Sequence, residues 1–327
     1  MDSAGRNFAF LVGLSLSFVA YGICGLVVYA LVPLAGGDHG ASPVAGTIAL
    51  GLLLALLAVS LTRGVRAARR HRIANARLIR RTGRAAVALP DDLRALAREA
   101  GLAGRVVLVE RAEPFSFVYG IFVPRVAVST GMRERLSREE LRAALEHERY
   151  HVRNLDPLRD LVGRVFAESL FFLPLASLLH RHYATERELA ADRRASAVCG
   201  RRSLAGALLA ALESPEPEPR ASVALGGPAL LASRLSQLET GRPAPAAGID
   251  GSTFLRSALG LAAVLALFVA AVYGVGGSAA TTRLLAAELA PANLLAGTAL
   301  CVAPVIGLAG LGWGRLAWGA RRTPAVH

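Results

Sequence analysis

Lysine is missing from all 327 residues, and the 37 basic residues are arginine throughout. Such one-sidedness reads as a GC-rich coding bias more than a chosen chemistry. Cysteine is nearly missing too: Cys24 and Cys301 sit in apolar runs, and Cys199 stands alone. No pair has the spacing of a thiolate metal site or of a disulfide framework, which argues against a stapled scaffold and fits a reducing cytoplasm. Charge is sparse at 19%, whereas hydrophobic residues make up 54% and the mean hydropathy is +0.45. That is too apolar for an ordinary soluble enzyme and points to membrane spans. The net charge of +13 would suit a nucleic acid. No basic platform interleaved with aromatics accompanies it, so no nucleic-acid partner is expected. Positive-inside topology accounts for the charge more economically.

Histidine is scarce, with seven residues, yet two of them fall in His147-Glu148-Arg149-Tyr150-His151. On a helix, positions i and i+4 share one face, one turn apart. Both imidazoles can then reach a single Zn²⁺, and Glu148 stands where it can take a proton from a metal-bound water. Ser137-Arg138-Glu139-Glu140 supplies a capping box at the start of this helix, and Leu141, Ala144, Leu145 and Val152 give it an apolar stripe. Downstream, Glu188 and Asp192 are again i and i+4. Glu188 can complete a His₂Glu set, leaving a fourth position for water. Asp192 can accept from the free ring nitrogen of a ligating histidine and fix its tautomer. Taken alone, that second segment is equally an exposed helix laced with ion pairs, since Glu186, Arg187, Arg193 and Arg194 surround it. His39, His71 and His327 read as ordinary surface histidines.

The apolar run at 8–32 is long enough to span a bilayer, and too long for a cleaved signal core. A second span at 44–61 follows a short turn, making a hairpin. Nine arginines then fall between Arg63 and Arg84, a density that belongs on the cytoplasmic side, against anionic headgroups. From about 85 the pattern becomes that of a compact unit. A helix opens at Pro90, and strands are expected at 105–110, 115–119 and 125–129. An exposed strand edge beside the histidine helix can hold an extended peptide by main-chain bonds; a plain antiparallel meander is the blander alternative. The stretch near 158–179 is apolar but carries Arg159, Asp160, Arg164 and Glu168, with a kink expected at Pro174. It reads as an amphipathic helix at the membrane interface, with a full span as the alternative. A full span would put His151 and Glu188 on opposite sides of the bilayer. Helix continues at 201–212, a Pro/Glu-rich loop occupies 213–220, and a short helix 230–238 precedes a linker at 242–251. Further spans are expected at 254–274 and 293–313, and Arg315, Arg321 and Arg322 place the C-terminus inside. The expected fold is thus membrane α-helical, with four transmembrane helices and a cytoplasmic α+β zincin-like metallopeptidase domain. Its parts are a transmembrane hairpin at 1–62, the peptidase domain at 63–250, and a second pair of spans with a short tail at 251–327.

Pro114-Phe115-Ser116-Phe117, the run 124–131, 140–151, Asp156-Pro157 and the run 188–192 together resemble the membrane zinc peptidases of the beta-lactam-sensor (BlaR/MecR) family, a gluzincin group. Ste/HtpX-type membrane peptidases share the ligand pattern and come close behind. The resemblance implies Zn²⁺ on His147, His151 and Glu188, Glu148 as general base, and Asp192 behind a ligand. The antibiotic-sensing members cut a cytoplasmic repressor after an outer sensor is acylated. The sequence given ends after the fourth expected span without such a sensor, so antibiotic sensing is not carried over. The expectation is a membrane zinc endopeptidase acting on a protein or peptide at the inner face of the bacterial cytoplasmic membrane. A non-enzymatic transducer with a structural zinc is the alternative, against which an intact Glu148 argues. His182, Tyr183 and Arg187 are the candidate oxyanion stabilisers.

Overall fold

A computed structural model describes residues 9, 12–13, 43–212, 223–241 and 250–275. The spans expected at 8–32 and 293–313 fall outside these residues, apart from three positions of the first. The loop at 213–220, most of the linker, His39, His327 and the C-terminal arginines also lie outside. The chain divides into two compact units, one containing Leu61–Phe254 and the other Ala9–Ser60 with Leu255–His327.

In the second unit, the described residues besides 9 and 12–13 are the first part of helix α1 (Pro43–Arg84) and most of α9 (Gly251–Val275). Both are long and apolar enough to cross a membrane. Ile48, Leu57, Leu259 and Leu265 stand exposed on them, a surface that water would not tolerate in bulk. These two helices mark a membrane protein. Helix α1 runs on without interruption past residue 62, about 63 Å at 1.5 Å per residue, so the basic stretch continues the helix of the span before it. Its basic half contains no proline and is rich in arginine and alanine, both good helix formers. Arg81 and Arg84 complement the negative C-terminal end of its dipole.

The first unit holds a small mixed sheet and a helical layer. The strands are β1 (Ala86–Val87), β2 (Val106–Val109), β3 (Ser116–Tyr119) and β4 (Arg125–Ser129), in the order β1-β2-β4-β3. β2 and β4 run parallel, pairing Val106 with Val126 through to Val109 with Ser129. β3 is antiparallel to β4 and forms an edge. The blander antiparallel meander is therefore replaced by a sheet whose central pair is parallel. Helix α2 (Asp91–Glu99) precedes β2, and the short α3 (Thr130–Arg135) follows β4 directly. Ser129 makes that junction: its Oγ accepts from the N–H of Met132 and from that of Phe115, each at 3.0 Å. Leu93 and Leu96 of α2, Leu108, Val126 and Val128 of the sheet, and Leu141 and Leu145 of α4 (Arg138–Arg153) close the main core.

α4 begins with the expected capping box. The Ser137 N–H donates to Glu140 Oε2 at 2.9 Å, and Ser137 Oγ accepts from the Glu140 N–H at 3.4 Å. The stretch expected as one kinked helix is two: α5 (Asp156–Ser169) and α6 (Pro174–Cys199). Proline lacks the N–H that would continue the first helix, so Pro174 starts the second instead. Ala167, Leu170, Leu173, Ala176 and Leu179 are buried along this stretch. α7 (Arg201–Leu212) and α8 (Val223–Thr240) complete the unit, and both pack against the histidine-bearing layer.

Candidate metal centre

His147, Glu148 and His151 are all buried on α4, and Glu188 reaches them from α6. The two Nε2 atoms lie 3.1 Å apart, and Glu188 Oε2 is 3.5 Å from that of His147 and 3.8 Å from that of His151. The carboxylate separations are too long for hydrogen bonds. They suit atoms sharing one ion instead: ligands about 2.0–2.1 Å from a tetrahedral zinc stand roughly 3.3 Å from one another. All three atoms fall within 4.8 Å of each other, so the set can hold a metal ion.

Why these atoms face each other is written in the next layer. His151 Nδ1 sits 2.7 Å from Asp156 Oδ2, and His147 Nδ1 sits 2.9 Å from Asp192 Oδ1. Asp156 engages Nδ1 of His151, and the Asp192 carboxylate stands beside Nδ1 of His147 without hydrogen-bond alignment, which leaves the Nε2 lone pairs for a cation. Asp192 is fully buried and clamped by Arg234 of α8, with Nε at 2.7 Å and Nη2 at 2.8 Å. Asp156 accepts from the Tyr183 hydroxyl at 3.1 Å. Arg187 Nη2 donates to Glu188 Oε1 at 3.2 Å, which leaves Oε2 pointing at the histidines. Asp156 reaches His151 through a sharp turn. α4 stops at Arg153, Leu155 takes a left-handed conformation (φ 52°), and Asp156 opens α5. Left-handed backbone is costly for leucine.

The electrostatics favour positive charge in the cluster. Burial alone would lower the proton affinity of His147, but the Asp192 and Glu188 carboxylates more than reverse this and raise its pKa to about 9. Burial opposes ionisation of Asp192, yet Arg234 and His147 hold it at about 2. Glu188 is likewise driven well below the usual range, against its burial, by His151, His147 and Arg187. The residues therefore fit a divalent cation in geometry, donor type and charge.

Glu148 is not among the three converging ligands. Its Oε1 accepts from the Ser116 hydroxyl, 2.9 Å away on the edge strand β3. Glu148, the ligand set, β3 residues, Arg187 and Arg234 line one cavity of about 220 Å³. On another wall, Asp160 Oδ2 accepts from Arg164 Nε at 2.8 Å, and Asp160 Oδ1 stands 3.6 Å from His180 Nε2. His180 is buried with both ring nitrogens unbonded, and burial, aided by neighbouring arginines against the pull of Asp160, lowers its pKa to about 4.

The five residues singled out in the sequence (His147, Glu148, His151, Glu188 and Asp192) come together. Of the three candidate oxyanion stabilisers, Arg187 lines the cavity; Tyr183 spends its hydroxyl on Asp156, and His182 does not line it. His71 is corrected: it is half-buried, lines the cavity and stands 3.7 Å from Asp160 Oδ2. It looked like a surface residue because it sits in an arginine run, one face of which docks on the unit. Sequence reading missed Ser116, Asp156 and Arg234 as partners of the centre. Asp156 carried a signal, being five residues past His151 and part of the Asp156-Pro157 pair of the resemblance, but the sequence gives it no role at the centre.

A family model described as BlaR1 peptidase M56 matches residues 38–238, well over half of the chain. A protease HtpX homolog of Herminiimonas arsenicoxydans is 43% identical over 70 residues, covering 21% of this chain and 24% of that protein. The chain thus spans about a quarter of that relative's length. No solved structure matches the chain.

Proposed function

The chain belongs to the BlaR1 peptidase M56 family, and from that premise we propose that it is a membrane zinc endopeptidase cutting a cytoplasmic or membrane-associated protein. The observation that carries this reading is the convergence of His147 Nε2, His151 Nε2 and Glu188 Oε2 beside Glu148, in a cavity bordered by an edge strand. Zn²⁺ held by those three residues supplies a Lewis acid that polarises a peptide carbonyl and acidifies water. Glu148 takes the proton of the attacking water and returns it to the leaving amine. Ser116 orients the Glu148 carboxylate for this transfer. Asp156 and Asp192 hold the two imidazoles in the tautomer that leaves Nε2 free. The edge of β3 offers main-chain groups to an extended substrate. Arg187, buried on the cavity wall, is the candidate donor to the developing oxyanion.

The domain limits are the proposed 63–250, between a hairpin at 1–62 and a second pair of spans at 251–327. The arginines after residue 62 support a peptidase unit on the cytoplasmic side of an inner membrane, against lipid headgroups. A transcriptional repressor in a signalling pathway is the substrate this topology suits.

The test is Glu148→Gln. The variant keeps its zinc and loses proteolysis, and full-length substrates accumulate in cells carrying it, read by comparative proteomics. A variant that cleaves as well as the parent would leave zinc with a structural role in a transducer.

A further inference from the structure

The cavity at the metal centre has a wall that the ligand motif does not supply. His71, Ala74, Asn75 and Leu78 of α1 line it, at i, i+3, i+4 and i+7 of one helix. The basic half of α1 is thus one bank of the site, and the edge strand β3 is another. Four contacts fix it there. A Cβ at Gly64 would collide with Ser169 Oγ, so α1 lies directly on the end of α5. Beside it, Arg63 Nη2 donates to Glu168 Oε2 at 2.8 Å. Further along, Asn75 Oδ1 accepts from the Gly120 N–H, just past β3, at 3.0 Å. Leu78 packs against the apolar cluster that includes Phe115, Phe117 and Tyr119.

Ala74 is exposed although it lines the cavity, so the mouth opens beside it. Arg77 and Arg81 follow Ala74 at i+3 and i+7, and Arg70 precedes it at i−4, so all three stand on its face, along the rim. Arg70 already faces Glu168 at 3.9 Å. Arg77 and Arg81 are exposed, and neither guanidinium has an ion pair or hydrogen bond among the described residues. Lipid headgroups suit these two poorly. Arg63 is the first charged residue of α1, and Arg77 and Arg81 come 14 and 18 residues later, about 21 and 27 Å along the helix axis. A headgroup layer is only roughly 5–8 Å deep, and an anionic surface is felt over about 8 Å in physiological salt. Unpaired cations at the mouth of a site that cuts polypeptide fit an anion on the polypeptide instead. The net charge of +13 draws acidic segments toward that mouth.

We propose that Arg77 and Arg81 bind an acidic side chain (Asp or Glu) of the substrate, a few residues from the cut bond. β3 sets the distance. Ser116, which holds Glu148, and Gly120, which is bonded to Asn75, are four residues apart. An extended chain laid along that edge advances at the same rise per residue, so about its fourth residue from the cut bond reaches the rim. The inference rests on the peptidase reading above and adds its substrate class.

The experiment uses the full chain in detergent, loaded with zinc, and a mixed peptide library whose cleavage sites are mapped by mass spectrometry. Asp and Glu are expected to be enriched about four residues from the cut bond, on one fixed side. In a peptide so chosen, replacing that Glu by Gln lowers kcat/KM by about five-fold, the upper end of what an exposed ion pair supplies. The loss falls mainly on KM, because the contact is remote from the reacting atoms. Arg77→Gln/Arg81→Gln cuts the Glu and Gln peptides alike, with zinc content and melting temperature reporting that the fold survives. Arg69→Gln/Arg80→Gln removes the same charge from a face of α1 turned away from the mouth and keeps the parent's preference. Added salt narrows the preference of the parent. Cleavage by the parent that ignores acidic side chains overturns this proposal and leaves the peptidase reading standing. So does a folded Arg77→Gln/Arg81→Gln with the parent's preference, or an equal loss in Arg69→Gln/Arg80→Gln. If the first double variant differs from the parent only in its response to phosphatidylglycerol added to the micelles, the two arginines serve lipid headgroups and the proposal is overturned. If the zinc-loaded parent cuts no peptide in the library, the peptidase reading falls and takes this inference with it.

Discussion

Replacing Asp192 by Asn tests the layer behind the ligands. The side chain is fully buried between His147 Nδ1 at 2.9 Å and the Arg234 guanidinium at 2.7 and 2.8 Å. Asparagine keeps the shape and one acceptor but removes the charge. Two losses follow, and they are separable. Arg234 is left without its counter-charge; breaking a buried ion pair costs about 3–5 kcal/mol, and the low end applies because Arg234 keeps some solvent access. At roughly 2–4 °C per kcal/mol, that lowers the zinc-free melting temperature by roughly 6–12 °C. Separately, His147 loses the anion that orients it, which costs about 10–100-fold in zinc affinity, or about 1.4–2.7 kcal/mol. Zinc affinity is read by competition with a chromophoric chelator, and stability by thermal unfolding with and without zinc. Because a ligand stabilises in proportion to the logarithm of its saturation, the zinc-induced rise in melting temperature shrinks in the variant. Arg234→Met is the control. It breaks the same ion pair but leaves the carboxylate on His147, so zinc affinity falls far less than in Asp192→Asn. If Asp192→Asn binds zinc like the parent while only its zinc-free stability drops, Asp192 serves Arg234 alone and the tautomer argument is wrong.

The remaining predictions are smaller. Ser116→Ala keeps its zinc and loses about ten-fold in kcat, the order of one lost hydrogen bond to a charged group, measured on a peptide that the parent cuts. His180 makes the zinc-loaded protein acid-labile. Its folded pKa of about 4 lies below the ordinary value of 6.5, so the unfolded chain takes up the proton first. Stability is therefore full above about pH 6.5 and falls by up to about 3 kcal/mol on the way to pH 4, read as melting temperature; His180→Gln flattens that slope. Gly163→Ala places a Cβ 2.5 Å from His180 Nδ1 and costs about 1–3 kcal/mol; a melting temperature like the parent's would show that the helices do not meet so closely.

How much of this was legible follows from where each interaction lies along the chain. His147 and His151 are four residues apart, as are Glu188 and Asp192, so helical periodicity alone put each pair on one face. The capping box was readable for the same reason. Asp156 needed more, because its approach to His151 depends on Leu155 at φ 52°, a conformation that leucine does not advertise. Arg234 lies 42 residues past Asp192 and is one of 37 arginines. In a chain without lysine, a buried arginine and a headgroup-facing one carry the same letter, so composition hid the residue that clamps the centre. The parallel pairing of β2 with β4 was equally hidden, since alternation of side chains says which face is buried and nothing about which strand lies beside it. His71 failed in the opposite direction, as its arginine neighbours marked the whole helix as surface when one face of it is docked. The ligands are thus local facts and their orientation is a tertiary one. A motif can nominate His147 and His151, but only the packing of α5 and α6 against α4, with α8 packed on α6, turns both Nε2 atoms toward one point.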